Sequence, residues 1–372
     1  MADIINPSDL TFNGEEVRAI SEAIMEEVFA KPALTEVLTA YTGIKAKKQI
    51  AFLGRLNGLV GQASDTSQCA PVENTAGITN TEKFWNPVFI DDRFSECWTD
   101  LLDTFFIYGT QNGLNKADLT TTDFADFFIE RYQDEIFEAM HRFIWFGDTD
   151  AATIAASPAG NFAVAGFVAK RWNAIDGIWK QLYAIAAADS NRRTSGTGTI
   201  SAKNDEALAA DQEFDDTDIT NRVVTKTLRK VITGADYRLK DKQDKIILVT
   251  ESVADQYVAE LEDETSNGID VAFEYLQDGV AVLKRRGVTI ISLSFWDRMI
   301  RGYTSNSAGT GYFRPHRILM TTKANLAFGT EEEGNLSEVD IFYNKRLKQN
   351  YFDFGANLDT KVLQDYMVQM SY

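Results

Sequence analysis

Thr120-TTDFADFFIERYQDEIFEAMHRFIWF-Gly147 is the stretch on which the reading of this chain turns. Thr120 followed three residues on by Asp123 resembles a capping box, and Gly147 supplies a helix stop. Phe128, Tyr132, Ile136, Met140 and Phe143 recur at helical spacing between these two signals. Phe124, Phe127, Phe137, Ile144, Trp145 and Phe146 widen that stripe until it exceeds one face. The pattern predicts a single helix of about 26 residues, roughly 39 Å long at the standard rise. A helix so greasy must be covered on several sides.

Upstream, Val17, Ile20, Ile24 and Val28 alternate with glutamates at helical spacing, giving a short amphipathic helix that Pro32 interrupts. Leu34, Val37, Leu38 and Tyr41 predict a second short helix ending at Gly43. This leading segment either packs as a helical hairpin or finds its apolar partner on another subunit. From Lys48 to Gly61 the character changes: Ile50, Phe52, Leu53 and Leu56 stand among Gly54, Gly58 and Gly61, which suits a bending strand. Gln62 to Asn80 is polar, and a second strand-like stretch runs through Phe84, Trp85, Val88, Phe89 and Ile90. A long two-stranded excursion with a polar tip follows. Such a ribbon is marginal in water and needs something to lie on.

Downstream, a helix is expected near Gly177 to Ala188, another over Ile219 to Ile232, a strand over Lys245 to Thr250 and a helix over Ser252 to Glu262. That order indicates a small α/β lobe. Strands are expected at Gly287 to Leu293 and Arg317 to Thr321. Val339, Ile341 and Tyr343 alternate, as do Phe352, Phe354, Ala356 and Leu358, predicting a closing antiparallel pair.

At 372 residues the chain has ample length for a large core, arranged as two sub-domains or one elongated body. Acidic side chains outnumber basic ones 55 to 37, a net charge of -18 that would repel nucleic-acid phosphates over most of the surface. Two cysteines, Cys69 and Cys97, do not make a disulfide framework and fit a reducing cytoplasm. No secretory signal and no membrane-length apolar run is visible.

The residues of common catalytic chemistry are scarce. His141 lies inside the long helix and His316 follows Pro315 at a strand entrance, far from each other in sequence and from any cysteine motif. Gly196-Thr197-Gly198 has no strand before it and no lysine in place, so it reads as a loop and not a phosphate cradle. Glu331, Glu332 and Glu333 lack calcium-loop spacing. Asp91 with Asp92, and Asp215, Asp216 and Asp218, are the acid clusters on which a carboxylate-based enzyme would rely; both look like turns or helix caps. No catalytic residue, metal or cofactor is assigned. Lys45, Lys47 and Lys48, Lys284, Arg285 and Arg286, and Lys345, Arg346 and Lys348 are basic runs that are either solvated or meet carboxylates of neighbouring copies.

The order of elements resembles the major capsid proteins of tailed bacteriophages, the Hong Kong 97-like fold that encapsulin shells share. Three segments carry the likeness. His316-RILMTTKANLAFG-Thr330 is similar to the family's late strand and turn, Val339 to Leu358 to its returning strands, and Phe143 to Asp148 to the end of its long helix. The resemblance implies an α+β fold with residues 1–47 as N-terminal arm and 48–92 as extended loop. It implies a peripheral domain with the spine helix over 93–150, an axial domain with connections over 151–330, and C-terminal strands over 331–372.

It further implies hexamers and pentamers of an icosahedral shell that encloses double-stranded DNA without reading its sequence. Portal, scaffolding and decoration proteins are the implied partners, with no membrane, and assembly takes place in the bacterial host cytoplasm. The expected contacts between subunits are Val17, Ile20, Ile24, Val28, Phe52, Leu56, Phe84, Trp85, Lys345 and Arg346. An encapsulin-type compartment is the alternative within the same fold. The family's founding member is cross-linked through a lysine and an asparagine; nothing here identifies such a pair.

Overall fold

Ile247 and Leu248 are neighbours on one strand, point to opposite faces, and are both fully buried. A strand greasy on both sides belongs in the middle of a sheet that is covered twice. In the computed structural model that strand lies at the centre of a six-stranded sheet. The structure describes residues 37–44, 48–53, 80–97, 135–136, 138–151, 160–163, 171–264, 274–275, 281–330, 340–344 and 349–372.

The strands are β1 (Thr39–Tyr41), β2 (Gln49–Leu53), β3 (Asn80–Phe84), β4 (Val88–Cys97), β5 (Lys245–Thr250), β6 (Glu274–Tyr275) and β7 (Ala281–Arg285). They continue as β8 (Val288–Leu293), β9 (Ile318–Thr322), β10 (Leu326–Gly329), β11 (Asp340–Asn344), β12 (Gln349–Val362) and β13 (Gln369–Ser371). The principal helices are α1, whose described part falls within 135–146, α2 (Ile178–Ala188), α3 (Val223–Gly234), α4 (Glu251–Glu264) and α5 (Ser294–Tyr303).

The six-stranded sheet runs β13-β9-β5-β8-β7-β6, with β5 parallel to β8 and antiparallel to β9. Ile247, Val249, Ile290, Ile318 and Met320 on one face meet Val224, Leu228 and Val231 of α3 and Val253 and Tyr257 of α4. Leu248, Ile291, Leu319 and Met370 on the other face join a larger core. That core holds Ile136, Met140, Phe143 and Ile144 of α1, Ile178, Trp179 and Leu182 of α2, and Trp296, Met299 and Ile300 of α5. It ends on a second sheet, ordered β1-β10-β12-β11 with β4 also paired to β12. A separate two-stranded sheet, β2 with β3, completes the α+β set.

The described part of α1 is built as its composition suggests. Ile136, Met140 and Phe143 are buried, and so are Trp145 and Phe146 beyond the stripe. The Gly147 N–H still donates to Phe143 O at 3.1 Å, after which the chain turns. The first part of that helix lies outside the described residues.

Four expectations are corrected. Val37 and Leu38 do not continue into a helix: they are buried in the main core, and Thr39–Tyr41 forms β1, parallel to β10. The strand expected through Phe84 to Ile90 is two strands, because Pro87 has no N–H for a ladder; β3 pairs with β2, and β4 pairs with β12. This puts Asp91 and Asp92 within a strand and not in a turn. The helix expected over Ile219 to Ile232 is broken at Arg222, whose φ of 52° is left-handed, into Asp216–Asn221 and α3. By contrast β5, β8, β9, α2, α4 and the β11–β12 pair lie where periodicity puts them.

The α4–α5 junction gives a pH prediction. The Asp297 carboxylate accepts from the Glu251 N–H at 2.5 Å and the Ser252 N–H at 3.4 Å, so α5 caps the start of α4. Burial pushes its pKa up to about 6, against the N–H groups of Glu251 and Ser252 and the charge of Arg301. His316, wholly buried, is pulled down to about 4 by the same cause. The two act oppositely. His316 binds its proton more weakly folded than unfolded, so its contribution is lost as pH falls from 6.5 through 4. Asp297 binds its proton more strongly folded, so its contribution grows as pH falls from about 6 through 3.8.

Each is worth about 3 kcal/mol at the standard conversion, and over this window they nearly cancel. Asp297→Asn removes one side. Urea unfolding at pH 7 and pH 4 is expected to show the variant losing about 3 kcal/mol more than the parent over that interval; parallel losses would show that the two groups do not oppose each other.

Candidate assembly surface

The two-stranded ribbon is held at its base. Trp85, directly after β3, donates its N–H to Lys48 O at 3.0 Å. Its ring is 2% exposed, packed with Ile44, Ala327 and Leu363, and it meets the Tyr41 ring at 5.9 Å. Lys83 reaches the other way: its ammonium donates to Val362 O and pairs with Asp365 Oδ1, each at 2.6 Å. The Asn86 N–H donates to Asp359 Oδ2 at 2.7 Å. Lys48 closes the base by donating to Gly43 O at 3.0 Å. Two strands with few partners would not persist in water, and this clamp onto the end of β12 is what makes their base part of the protein.

One expected contact is corrected by this geometry. Trp85 was expected to meet another copy, yet Ile44, Ala327 and Leu363 of its own chain already cover it. Successive strand residues face opposite ways, so the residue before it has the opposite fate. Phe84 is 49% exposed. Phe52 occupies β2 opposite Thr81. Val17, Ile20, Ile24, Val28, Leu56, Lys345 and Arg346 lie outside the described residues. The sequence reading missed Phe89 as a surface group: it is 61% exposed and its ring lies over Gly355, where a Cβ would stand 2.5 Å from Phe89 Cζ. A lone glycine diagonal to an aromatic on a paired strand was the available signal.

The titratable groups that might have suggested chemistry are occupied elsewhere. The Ser252 hydroxyl lies 2.9 Å from His316 Nδ1, while His316 Nε2 lies 2.7 Å from Gln212 O. Asp297 reaches Ser252 and not the imidazole, and Phe214 stacks on the ring at 4.2 Å. The histidine therefore ties the segment around Gln212 to the start of α4. His141 packs against Phe295 at 4.8 Å. Asp215 and Asp218 form a reciprocal capping box, with Lys203 2.7 Å from Asp218. Glu260 accepts from the Val224 and Thr225 N–H groups at 2.8 and 2.7 Å, capping α3 from a neighbouring helix.

Lys180 stands 2.8 Å from each of Asp148, Asp150 and Asp176. Burial works against its charge, but the three carboxylates outweigh burial and raise its pKa above the ordinary lysine range. This hub locks the turn after α1 to α2. Among the described residues no group of three or more histidine, cysteine or acidic side chains is placed to hold a metal, and no helix is long and apolar enough to cross a membrane.

No protein-family model and no curated protein matches the chain. Among solved structures, the satellite phage P4 procapsid including size determination (Sid) protein aligns at a TM-score of 0.48 with 11% identity, over 94% of this chain and 98% of that one. The chain is similar to phage capsid structures. The cyanophage Pam1 capsid asymmetric unit aligns at 0.45 with 13% identity, over 100% and 98% of the two chains. The virus-like particle from Pyrococcus furiosus aligns at 0.42 with 6% identity, over 95% and 98%.

Proposed function

We propose that this chain is the major shell protein of a tailed bacteriophage, assembling through many copies of itself into hexamers and pentamers that enclose double-stranded DNA. The observation that carries the reading is the ribbon: among the described residues β2 and β3 form a sheet of their own, joined to neither larger sheet and clamped at its base by Lys48, Lys83, Trp85 and Asn86. Phe84 at that base leaves half its surface to solvent. A lone two-stranded ribbon with an exposed aromatic gains most when another copy covers it. The extended loop, expected over 48–92, then ends before β4, because Val88–Cys97 pairs with β12; β4 with the α1 and β12 region is the peripheral domain, and the six-stranded sheet with α3 and α4 the axial domain. Phe84, Phe52 and Leu56 on the ribbon, the leading segment with Val17, Ile20, Ile24 and Val28, and Lys345 with Arg346 are the proposed contacts.

The acidic balance also fits a container that holds DNA without gripping it. Virion location and assembly in the host cytoplasm follow from this reading, as do portal, scaffolding and decoration proteins as partners. Sedimentation velocity of the purified chain tests it: particles of megadalton mass are expected, against 41.6 kDa for one copy.

The proposal also separates two adjacent aromatics. Phe84→Ala is expected to leave the stability of the isolated chain within about 0.5 kcal/mol, as exposed sites do. The same substitution should raise the concentration needed for assembly by about tenfold, the effect of losing an interface aromatic worth over 1 kcal/mol. Equal assembly by the variant and the parent would remove Phe84 from the interface.

A further inference from the structure

The helices α3 and α4 lie side by side on one face of the six-stranded sheet, and their charges are sorted by sign. α3 packs over β9 and β13, towards one edge of the sheet, and α4 packs over β5 and β8. Val223–Gly234 contains no acid, and its solvent side carries Lys226, Arg229 and Lys230. Glu251–Glu264 contains no lysine or arginine, and its solvent side carries Glu251, Asp255, Glu262 and Asp263. The helical repeat makes each set a strip: Val224, Leu228 and Val231 take the buried side of α3, Val253 and Tyr257 that of α4, and the charges fall opposite.

A lone chain gains nothing from this sorting. Lys226 with Lys230, and Glu251 with Asp255, are like charges four residues apart, the spacing at which opposite charges support a helix and like charges weaken it. Lys226 lies in the first turn of α3, and Glu262 and Asp263 lie in the last turn of α4, each at the end whose dipole disfavours it. The two strips do not neutralise each other: among the described residues none of these side chains forms an ion pair. Burial raises the Asp255 pKa, and no neighbouring cation offsets it. Each strip costs its own helix something and is left without charges of the opposite sign.

We propose that the basic strip of α3 docks on the acidic strip of α4 of a second copy of this chain. The contact belongs to the proposed shell and rests on that reading. It joins two different surfaces head to tail, the kind of contact that repeats around a closed ring. The net charge of -18 does not decide its sign, because screening confines charge interactions to about 8 Å at physiological ionic strength, and the strips that meet are complementary. A second copy answers both strips at once. A DNA duplex would suit α3 alone: α4 lies against α3, with Glu260 capping the α3 N-terminus, and its exposed carboxylates would repel the same phosphates.

The test uses the full chain and reads, by sedimentation, the protein concentration at which it assembles. Lys226→Glu/Arg229→Glu/Lys230→Glu leaves both strips acidic, and Asp255→Lys/Glu262→Lys/Asp263→Lys leaves both basic; each variant alone should need at least about tenfold more protein than the parent. Mixed in equal amounts, the two should assemble at the parent's threshold, because each supplies the strip that the other lacks. These sites are exposed, and urea unfolding confirms that each variant is folded. If a reversal does not fold, Lys226→Gln/Arg229→Gln/Lys230→Gln removes the positive charge, relieves the repulsion within α3, and should still raise the threshold. Thresholds within about twofold of the parent for both reversals, or a mixture that assembles no better than its components, would overturn this contact and leave the shell reading standing. A parent that never assembles would overturn both. Loss of binding to a short DNA duplex by the α3 variant, with an unchanged threshold, would assign the basic strip to nucleic acid and overturn the proposal.

Discussion

Gly177→Ala is expected to cost at least about 3 kcal/mol and to leave little folded protein at 37 °C, a large effect for the addition of one methyl group. Gly147 and Gly177 lie back to back where α1 ends and α2 begins, joined by the Gly177 N–H donating to Gly147 O at 2.8 Å. A Cβ on Gly177 would stand 2.6 Å from Gly147 N and 2.8 Å from Trp145 C. One on Gly147 would stand 2.5 Å from Ile175 O and 2.7 Å from Phe143 O. All of these neighbours are backbone, so none can swing aside, and relief requires α1 and α2 to separate.

Separation would also disturb the Lys180 hub, because Asp148 follows Gly147 and Lys180 is on α2. Urea unfolding of the purified variant measures the cost, and a loss below about 1 kcal/mol would show that the two helices are not in rigid contact. Gly302, whose added Cβ meets nothing, is the control: alanine there is expected to be neutral or slightly stabilising.

Trp85→Ala is expected to cost about 3–5 kcal/mol, the range for emptying a large aromatic from a packed site. Ile44, Ala327 and Leu363 line the space it would leave, and they come from three distant parts of the sequence. Trp85 stands at the foot of the ribbon, so the loss should be felt most at β2 and β3. Hydrogen exchange should show the amides of Ile50 and Lys83, a hydrogen-bonded pair of the β2–β3 ladder, losing protection before those of β5. Uniform loss across both sheets would mean that the ribbon base and the main core unfold as one unit. Set beside the small expected effect of Phe84→Ala, this substitution separates a residue that holds the ribbon to its own chain from one that the proposal turns towards a neighbour.

How much of this was legible beforehand depended on where the partners lay. The strand Lys245–Thr250 and the helix after it were readable because a doubly covered strand is apolar throughout and an amphipathic helix repeats locally. Pro87 could have been read as the break between β3 and β4, since proline cannot join a ladder, but the aromatics on both sides made the run look continuous. The break at Arg222 had no such signal. Its cause is tertiary: the N-terminus of α3 is capped by Glu260, from another helix.

The same limit hid the candidate assembly surface. Trp85 and Phe84 are adjacent aromatics of similar hydrophobicity, and which one turns inward is decided by Ala327 and Leu363, more than 240 residues away. Lys83 meets Asp365 and Asn86 meets Asp359 across comparable separations. Core and interface both select apolar side chains, so only the packing tells them apart. The short helix Ser294–Tyr303 was missed although Trp296, Met299 and Ile300 have helical spacing, because it starts directly from the last residue of β8 with no turn residues between.

Electron microscopy of the purified, concentrated chain tests the central claim most directly. The account predicts closed shells with five- and sixfold vertices, in which the β2–β3 ribbon of each copy rests on an adjacent copy and Phe84 is covered there. A homogeneous population of single copies, with the ribbon folded onto its own sheets and Phe84 sheltered by its own chain, would contradict it.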